Sequence, residues 1–481
     1  MRILQLALFL LLPLLGTLAV LLAFERLRSR GDALLYLLLG SGAGIGLSSA
    51  AYFAWSLLFN PAAHLGWFWG LLAGLCALLG GVWVRRARRG SGWVSWQPAS
   101  RPGWGALGLG SLLGVIACFS FAAFVLSVQA EPRGGWDAIA IWNANARFMY
   151  LGRADWLVAF SPQRDAFSHP DYPYLLPGIL ALGWSILGKM LYAVPNLVAL
   201  FYTFASGGLL LLGLARLRDL RQGLLAAIVL LSAPEFILIG SKRIADIPLG
   251  FYILAVCLVS ALYLREGGSQ PKLLALTGFL MGCAIWTKND GWNLLLAFGA
   301  SWVLAAFMAR QPARLLREIP WMLLGLAPLL LLVIYFKFAI APPGDLTGLT
   351  IQQGPAALFG RLFDLERYRV TLAWFADQLW LLGGWKVSLP LLAGLYLALN
   401  GLERQARRSR EALTLGIFLV LALLGYFFVY ILTPHDLVWH LSTSLVRLLM
   451  QLFPAFLLFL FYIANPIPDF WPGRLSAFQK K

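Results

Sequence analysis

Four ionisable residues of this chain sit where ionisable residues are expensive. Asp137 in "GGWDAIAIW", Asp246 in "KRIADIPLGFY", Lys288 in "WTKNDGW" and Arg447 in "HLSTSLVRLLMQ" each border or enter a long apolar run. A charge in or beside hydrocarbon is kept where it has a partner or a task. Arg447 is the most informative of the four. His440, Ser444, Arg447 and Gln451 follow one another at i, i+4, i+7 and i+11, which puts them on one helical face. At a rise of about 1.5 Å per residue, Arg447 lies about 10 Å deeper than His440. A guanidinium at that depth calls for a salt bridge to a neighbouring helix, a polar cavity, or an anion such as a phosphate reached laterally from the membrane. The other three have plainer uses. Asp137 suits the N-cap of an interfacial helix, Asp246 the N-cap of a helix with Pro248 in its first turn, and Lys288 with Asp290 a snorkelling cation and a cap. Capping explains each residue singly and not their gathering on one face.

The elements that must position these residues follow from composition. Of 481 residues, 60% are hydrophobic and 12% charged, and the mean hydropathy is +0.77. That is far from the balance of a soluble domain, and an all-α polytopic membrane protein is expected. At about 20 apolar residues per crossing, thirteen spans are predicted, near 3–24, 33–59, 63–84, 105–130, 190–213, 223–241, 247–264, 273–287, 292–309, 320–340, 376–399, 412–433 and 440–463. Residues 1–24 read as the first of these and not as a signal peptide.

The connecting segments 25–32, 85–104, 214–222, 265–272, 310–319, 400–411 and 464–481 hold most of the 38 lysines and arginines. The positive-inside rule therefore puts them in the cytoplasm, with the amino terminus outside and the carboxyl terminus inside a plasma membrane, the inner membrane in a bacterium. Residues 173–189 are apolar enough to suggest a further crossing, but counting them would put the basic "ARLRDLRQ" outside. A helix at the outer interface is expected there. Topology thus accounts for the net charge of +17, and a nucleic-acid partner is excluded. Cys76, Cys118, Cys257 and Cys283 all fall in apolar runs without paired spacing, so they point to packing and not to a metal site or disulfide. Three parts follow: an N-terminal membrane segment 1–104, a central module 105–341 with its large outer loop 131–189, and a C-terminal part 342–481.

On this topology the outer face carries two long segments, 131–189 and 341–375, and three charged turns, "SKRIADIP" (241–248), "TKNDGW" (287–292) and "TPHDLVWH" (433–440). The cytoplasmic loops are short, basic and otherwise plain. Trp136, Trp142, Trp156 and Trp184 recur through the first outer segment; tryptophan anchors membrane interfaces, and sugar rings also pack on indole. Metalloprotease, P-loop, paired-cysteine and nucleophile-elbow patterns are absent from any usable context.

Taken in order, the outer motifs resemble the GT-C superfamily of polyprenol-dependent membrane glycosyltransferases, in particular the bacterial branch related to protein mannosyltransferases and lipid A aminoarabinose transferases. The resemblance rests on "GWDAIAIWNANARFMYLG" (135–152), "SHPDYPYLLPGILALGWSILG" (168–188), "KRIADIPLGFY" (242–252) and "GCAIWTKNDGW" (282–292), and covers roughly residues 105 to 310. It implies a fold of the GT-C type and an inverting transfer of sugar from a polyprenyl-phosphate donor to a lipid, glycan or protein acceptor, among membrane lipids. Asp137 would be the general base. Lys288, with Arg447 and Arg243 behind it, would meet the donor phosphate. Asp246, His169 and Asp171 would orient the donor sugar or a metal ion; Asp137 and Asp246 are the pair to hold a divalent cation if one takes part, and no other cofactor is implied. Trp136 and Trp142 would stack on sugar, while His440 and Glu366 would mark the acceptor side. The chain departs from the better-known branches in having three spans before the loop-bearing helix and no large soluble outer domain. An O-antigen-ligase-like transferase is an alternative, although its long outer loop would be expected late in the chain. A transporter or flippase of lipid-linked saccharides is another, and would be expected to show repeated halves and charges at mid-membrane.

Overall fold

Long apolar runs satisfy their backbone groups internally when they coil, and helix follows helix through this chain. The computed structural model describes residues 3–24, 29–59, 65–89, 103–161, 163–164 and 168–467. Four helices come first: α1 (Ile3–Ala23), α2 (Arg30–Leu58), α3 (Leu65–Arg89) and α4 (Trp104–Ala130). The long loop that follows holds α5 (Asn143–Leu151) and α6 (Leu175–Leu187). The central module then runs through α7 (Ala193–Leu217), α8 (Leu220–Ser232), α9 (Pro234–Ser241), α10 (Asp246–Arg265), α11 (Pro271–Thr287), α12 (Asp290–Met308) and α13 (Leu315–Tyr335). The C-terminal part consists of α14 (Asp345–Leu362), α15 (Leu365–Trp380), α16 (Leu389–Asn400), α17 (Arg404–Arg407), α18 (Arg410–Leu432) and α19 (Leu437–Ile463). No strand occurs among the described residues beyond an isolated bridge between Leu402 and Ala464. The chain is an all-α, multi-pass membrane protein.

Nine helices among the described residues are long and apolar enough to cross a bilayer, and ten if α8 and α9, bent by 63° at Pro234, count as one broken span. The thirteen expected spans resolve differently in three places, while α1 at 21 residues has the length expected of the first span. α11, expected over the short run 273–287, has only 17 residues. The region 376–399 is not one helix: Gly383, Gly384 and Lys386 take positive φ values and break it between α15 and the 12-residue α16. The third is the bend at Pro234. Hydropathy registers neither the break nor the bend, because the residues that cause them are themselves compatible with an apolar run. The 173–189 region is α6, 13 residues long. It is buried on nearly all sides between α2 and α5 and exposes no polar face of the kind an interfacial helix presents.

At the centre lies α10, whose residues from Asp246 to Leu264 are all buried. Close approach elsewhere depends on glycine. A Cβ on Gly325 would stand 1.8 Å from the Ala275 carbonyl oxygen, and one on Gly278 2.0 Å from that of Met322, so α11 and α13 touch backbone to backbone as small residues allow in membranes. This contact fixes α11, whose C-cap is Lys288. The bundle has two polar ends. At one, Arg216 pairs with Glu266 (2.9 Å) and Arg410 with the buried Glu318 (2.5 Å). At the other gather the first long loop and the turns 241–248, 287–292 and 433–440.

Gly325→Val is expected to lower unfolding stability by about 1–3 kcal/mol, the usual cost of overpacking. Gly299→Ala, where an added Cβ meets nothing within 4 Å, should not lower it. Thermal unfolding in detergent, followed by tryptophan fluorescence, measures both. Equal losses would show that the close approach of α11 and α13 is not the constraint.

A charged cavity at one end of the bundle

The site is built outward from Asp246. This residue opens α10 but does not cap it: Ala245 holds the N-cap position. The Asp246 carboxylate instead accepts from Lys288 Nζ (3.0 Å), Gln451 Nε2 (2.6 Å) and Arg447 Nε (3.1 Å). Lys288 follows the last residue of α11 in extended backbone and also pairs with Asp290 at 2.8 Å. Gln451 donates to Asp290 at 3.1 Å and accepts from Tyr426 at 2.5 Å. Arg447 reaches across to Asp137, whose carboxylate makes no capping bond either. Three carboxylates and two cations therefore form one network. Burial disfavours the Lys288 ammonium, but Asp246 and Asp290 outweigh it and hold the proton more tightly than an ordinary lysine does.

Above this network opens a cavity of about 550 Å³, walled by Trp136, Asp137 and His169 from the first loop, Lys288 and Asp290 from the 287–290 turn, and His435, Trp439, His440, Ser444 and Arg447 from the end of the bundle. Three of the four histidines in the chain line it. The i, i+4, i+7, i+11 face of α19 does run down one wall, from His440 to Gln451 beneath it. His440 Nδ1 lies 2.9 Å from Thr433 Oγ1, and Ser444 shares a hydrogen bond with Tyr430 at 2.8 Å. His169 holds a left-handed backbone (φ +43°) and stacks on Tyr172 with 4.3 Å between centroids.

Other expected site residues stand elsewhere. Arg243 does not line the cavity. Its guanidinium is engaged by the carbonyls of Glu131 and Pro132 and by Asn196 Oδ1, and so ties the start of the first loop to the 241–246 turn. Burial lowers its proton affinity below that of an ordinary arginine. Trp142 is fully buried, tilted against Tyr172, and has no face for a sugar; Trp136, 60% exposed, has one. Glu366 is exposed and pairs with Arg369 one helical turn on, away from the cavity. Asp171 is buried behind the wall, where it accepts from Asn289 Nδ2 (2.7 Å) and faces Lys337 Nζ (3.4 Å), with its other oxygen 4.0 Å from His169 Nδ1. Asp137 and Asp246 converge on the Arg447 guanidinium, so as arranged they hold a fixed cation and not a metal-ion cage. No group of three or more metal-ligating side chains occurs among the described residues.

Sequence reasoning missed Lys337 and Arg361, and gave Arg367 no role beyond its place in the second outer segment. Lys337 interrupts an apolar run, which is a signal; Arg361 carries none. These two arginines donate to the carbonyls of Tyr430, Ile431, Leu432 and Thr433 at the end of α18, and so hold the turn that carries His435 and His440. No family model, curated protein or solved structure matches the chain.

Asp246→Ala would leave Lys288 and Arg447 each short of a buried carboxylate, a loss expected to cost about 3–5 kcal/mol. Glu366→Ala, on the exposed pair, should leave the unfolding temperature nearly unchanged. Thermal unfolding of the two variants checks the contrast; an unshifted Asp246→Ala would mean the network is not what holds this end together.

Proposed function

We propose that the chain is an inverting membrane glycosyltransferase that moves a sugar from a polyprenyl-phosphate donor to a hydroxyl of a lipid, glycan or protein acceptor at the outer face of the membrane. One observation carries this reading: a single cavity presents Asp137, Lys288 and Arg447 in its floor and exposed indoles and half-buried imidazoles in its walls. This is the equipment for displacing a phosphate from a sugar, and the motifs that resemble the GT-C superfamily include Asp137 and Lys288.

In the step, the acceptor oxygen attacks the anomeric carbon. The bond from that carbon to the phosphate oxygen breaks, and its electron pair leaves with the polyprenyl phosphate. The acceptor proton passes to the Asp137 carboxylate. Charge grows on the departing phosphate, and fixed cations beside it lower the barrier, a task for Arg447 and Lys288. Trp136 and Trp439 offer faces to the sugar. An apolar cavity of about 340 Å³, lined by leucines of α15, α16, α18 and α19 with Phe453 and Phe456, offers hydrocarbon to the prenyl chain. The outward orientation in a plasma or bacterial inner membrane is supported by the basic segments at the opposite end of the bundle. Clustering of the charges at one end, and not at the midplane, favours transfer over transport.

Membranes that contain the protein, given a radiolabelled polyprenyl-phosphate sugar and a crude acceptor fraction, are expected to form labelled product. Asp137→Asn should lower that rate by about 10²–10⁴-fold, the usual worth of a general base. Undiminished transfer would remove Asp137 from the role. Passage of intact donor across sealed vesicles without covalent product would overturn the enzyme reading altogether.

A further inference from the structure

Arg447 serves two carboxylates that differ in one respect. Asp246 is fully buried and is bound by three donors, while the side chains of Asp137 and Arg447 are 18% and 22% exposed and face the cavity. The Asp246 contact is enclosed, and that carboxylate has no water to turn to. The Asp137 contact is on the side from which any ligand must arrive. We infer that Asp137 occupies, in the resting protein, the anion site on Arg447 that a lipid phosphate takes, so that phosphate binding and release of the Asp137 carboxylate are one event.

The charge count favours such an exchange. Among the described residues Asp137, Asp246 and Asp290 pair with Lys288 and Arg447, three carboxylates against two fixed cations. A phosphate added to this floor is repelled unless a carboxylate moves aside, and like charges in a partly dry site repel strongly. Asp290 is held by Lys288 and Gln451, and Asp246 by its three donors. Asp137 is tied at the cavity surface by Arg447, at the edge of a π-helical turn over 138–142. Once displaced, its carboxylate points into the space where an acceptor hydroxyl must sit. The base is thus exposed only after the donor phosphate is in place, which orders binding as donor first and acceptor second and keeps water from being activated in an empty site.

This inference rests on the reading of the cavity as a phosphate-lipid site, and binding of farnesyl phosphate to the full-length protein in nanodiscs separates the two. Removing a competing carboxylate should tighten farnesyl phosphate about tenfold in Asp137→Asn, the size of one charged hydrogen bond exchanged, while Arg447→Gln weakens it by a similar factor. A tenfold gain shared by inorganic phosphate assigns the exchange to the phosphate group itself; a gain confined to farnesyl phosphate assigns it to phosphate presented on a prenyl chain. Equal or weaker binding by Asp137→Asn overturns the exchange and leaves the transferase reading standing. Failure of both wild type and variant to bind removes the phosphate-lipid reading beneath it. In the wild type, carbodiimide labelling of Asp137, read by mass spectrometry, should rise when farnesyl phosphate is present; protection of Asp137 would contradict the exchange without recourse to any variant.

Discussion

A carboxylate taken wholly out of water must be surrounded by donors, and around Asp246 that requirement organises one end of the molecule. Lys288 comes from the end of α11, Arg447 and Gln451 from α19, and Asp246 itself from the start of the central helix α10. Two consecutive helices and a third some way down the chain are brought into register by one side chain. Each cation then has a second valence to offer: Lys288 holds Asp290, and Arg447 holds Asp137 of the first long loop. Loop, turn and helix are thus positioned by a chain of ion pairs that begins at a buried centre and ends at a cavity.

The walls above this floor are tied in the same way, by cations placed behind them. Lys337, just beyond α13, and Asn289 both reach Asp171, two residues from His169. Arg361 and Arg367 hold the carbonyls at the end of α18, and Thr433 passes that restraint to His440. These groups do not line the cavity. Their effect is to limit how far the imidazoles can move, which suits a site that must present several polar groups at once. At the far end of the bundle, Glu318 is held by Arg410 and by the indole of Trp302, so that helix ends are pinned where no cavity opens.

Much of the site was legible because charge near hydrocarbon is costly. Asp137, Asp246, Lys288 and Arg447 stand out on that ground alone, and the spacing from His440 to Gln451 places a whole helical face. Partners were not legible. Whether an aspartate caps its own helix or reaches a residue two hundred positions away is decided by tertiary packing, which leaves no local trace; Asp137 and Asp246 both do the latter. Arg243 has the same composition signal as Arg447, yet it serves backbone carbonyls. Trp142 and Trp136 differ only in which way a turn points them. For the fold, hydropathy located most of the long helices but not the break at 381–388 or the bend at Pro234, because glycine and proline interrupt a span without making it polar.

The most direct test of the central claim is a cryo-electron microscopy structure of the protein with a polyprenyl-phosphate sugar bound. The phosphate is expected against Arg447 and Lys288, the sugar beside Trp136, and the Asp137 carboxylate turned away from Arg447 toward the open cavity. A phosphate seated elsewhere, with the Arg447–Asp137 pair intact, would contradict it.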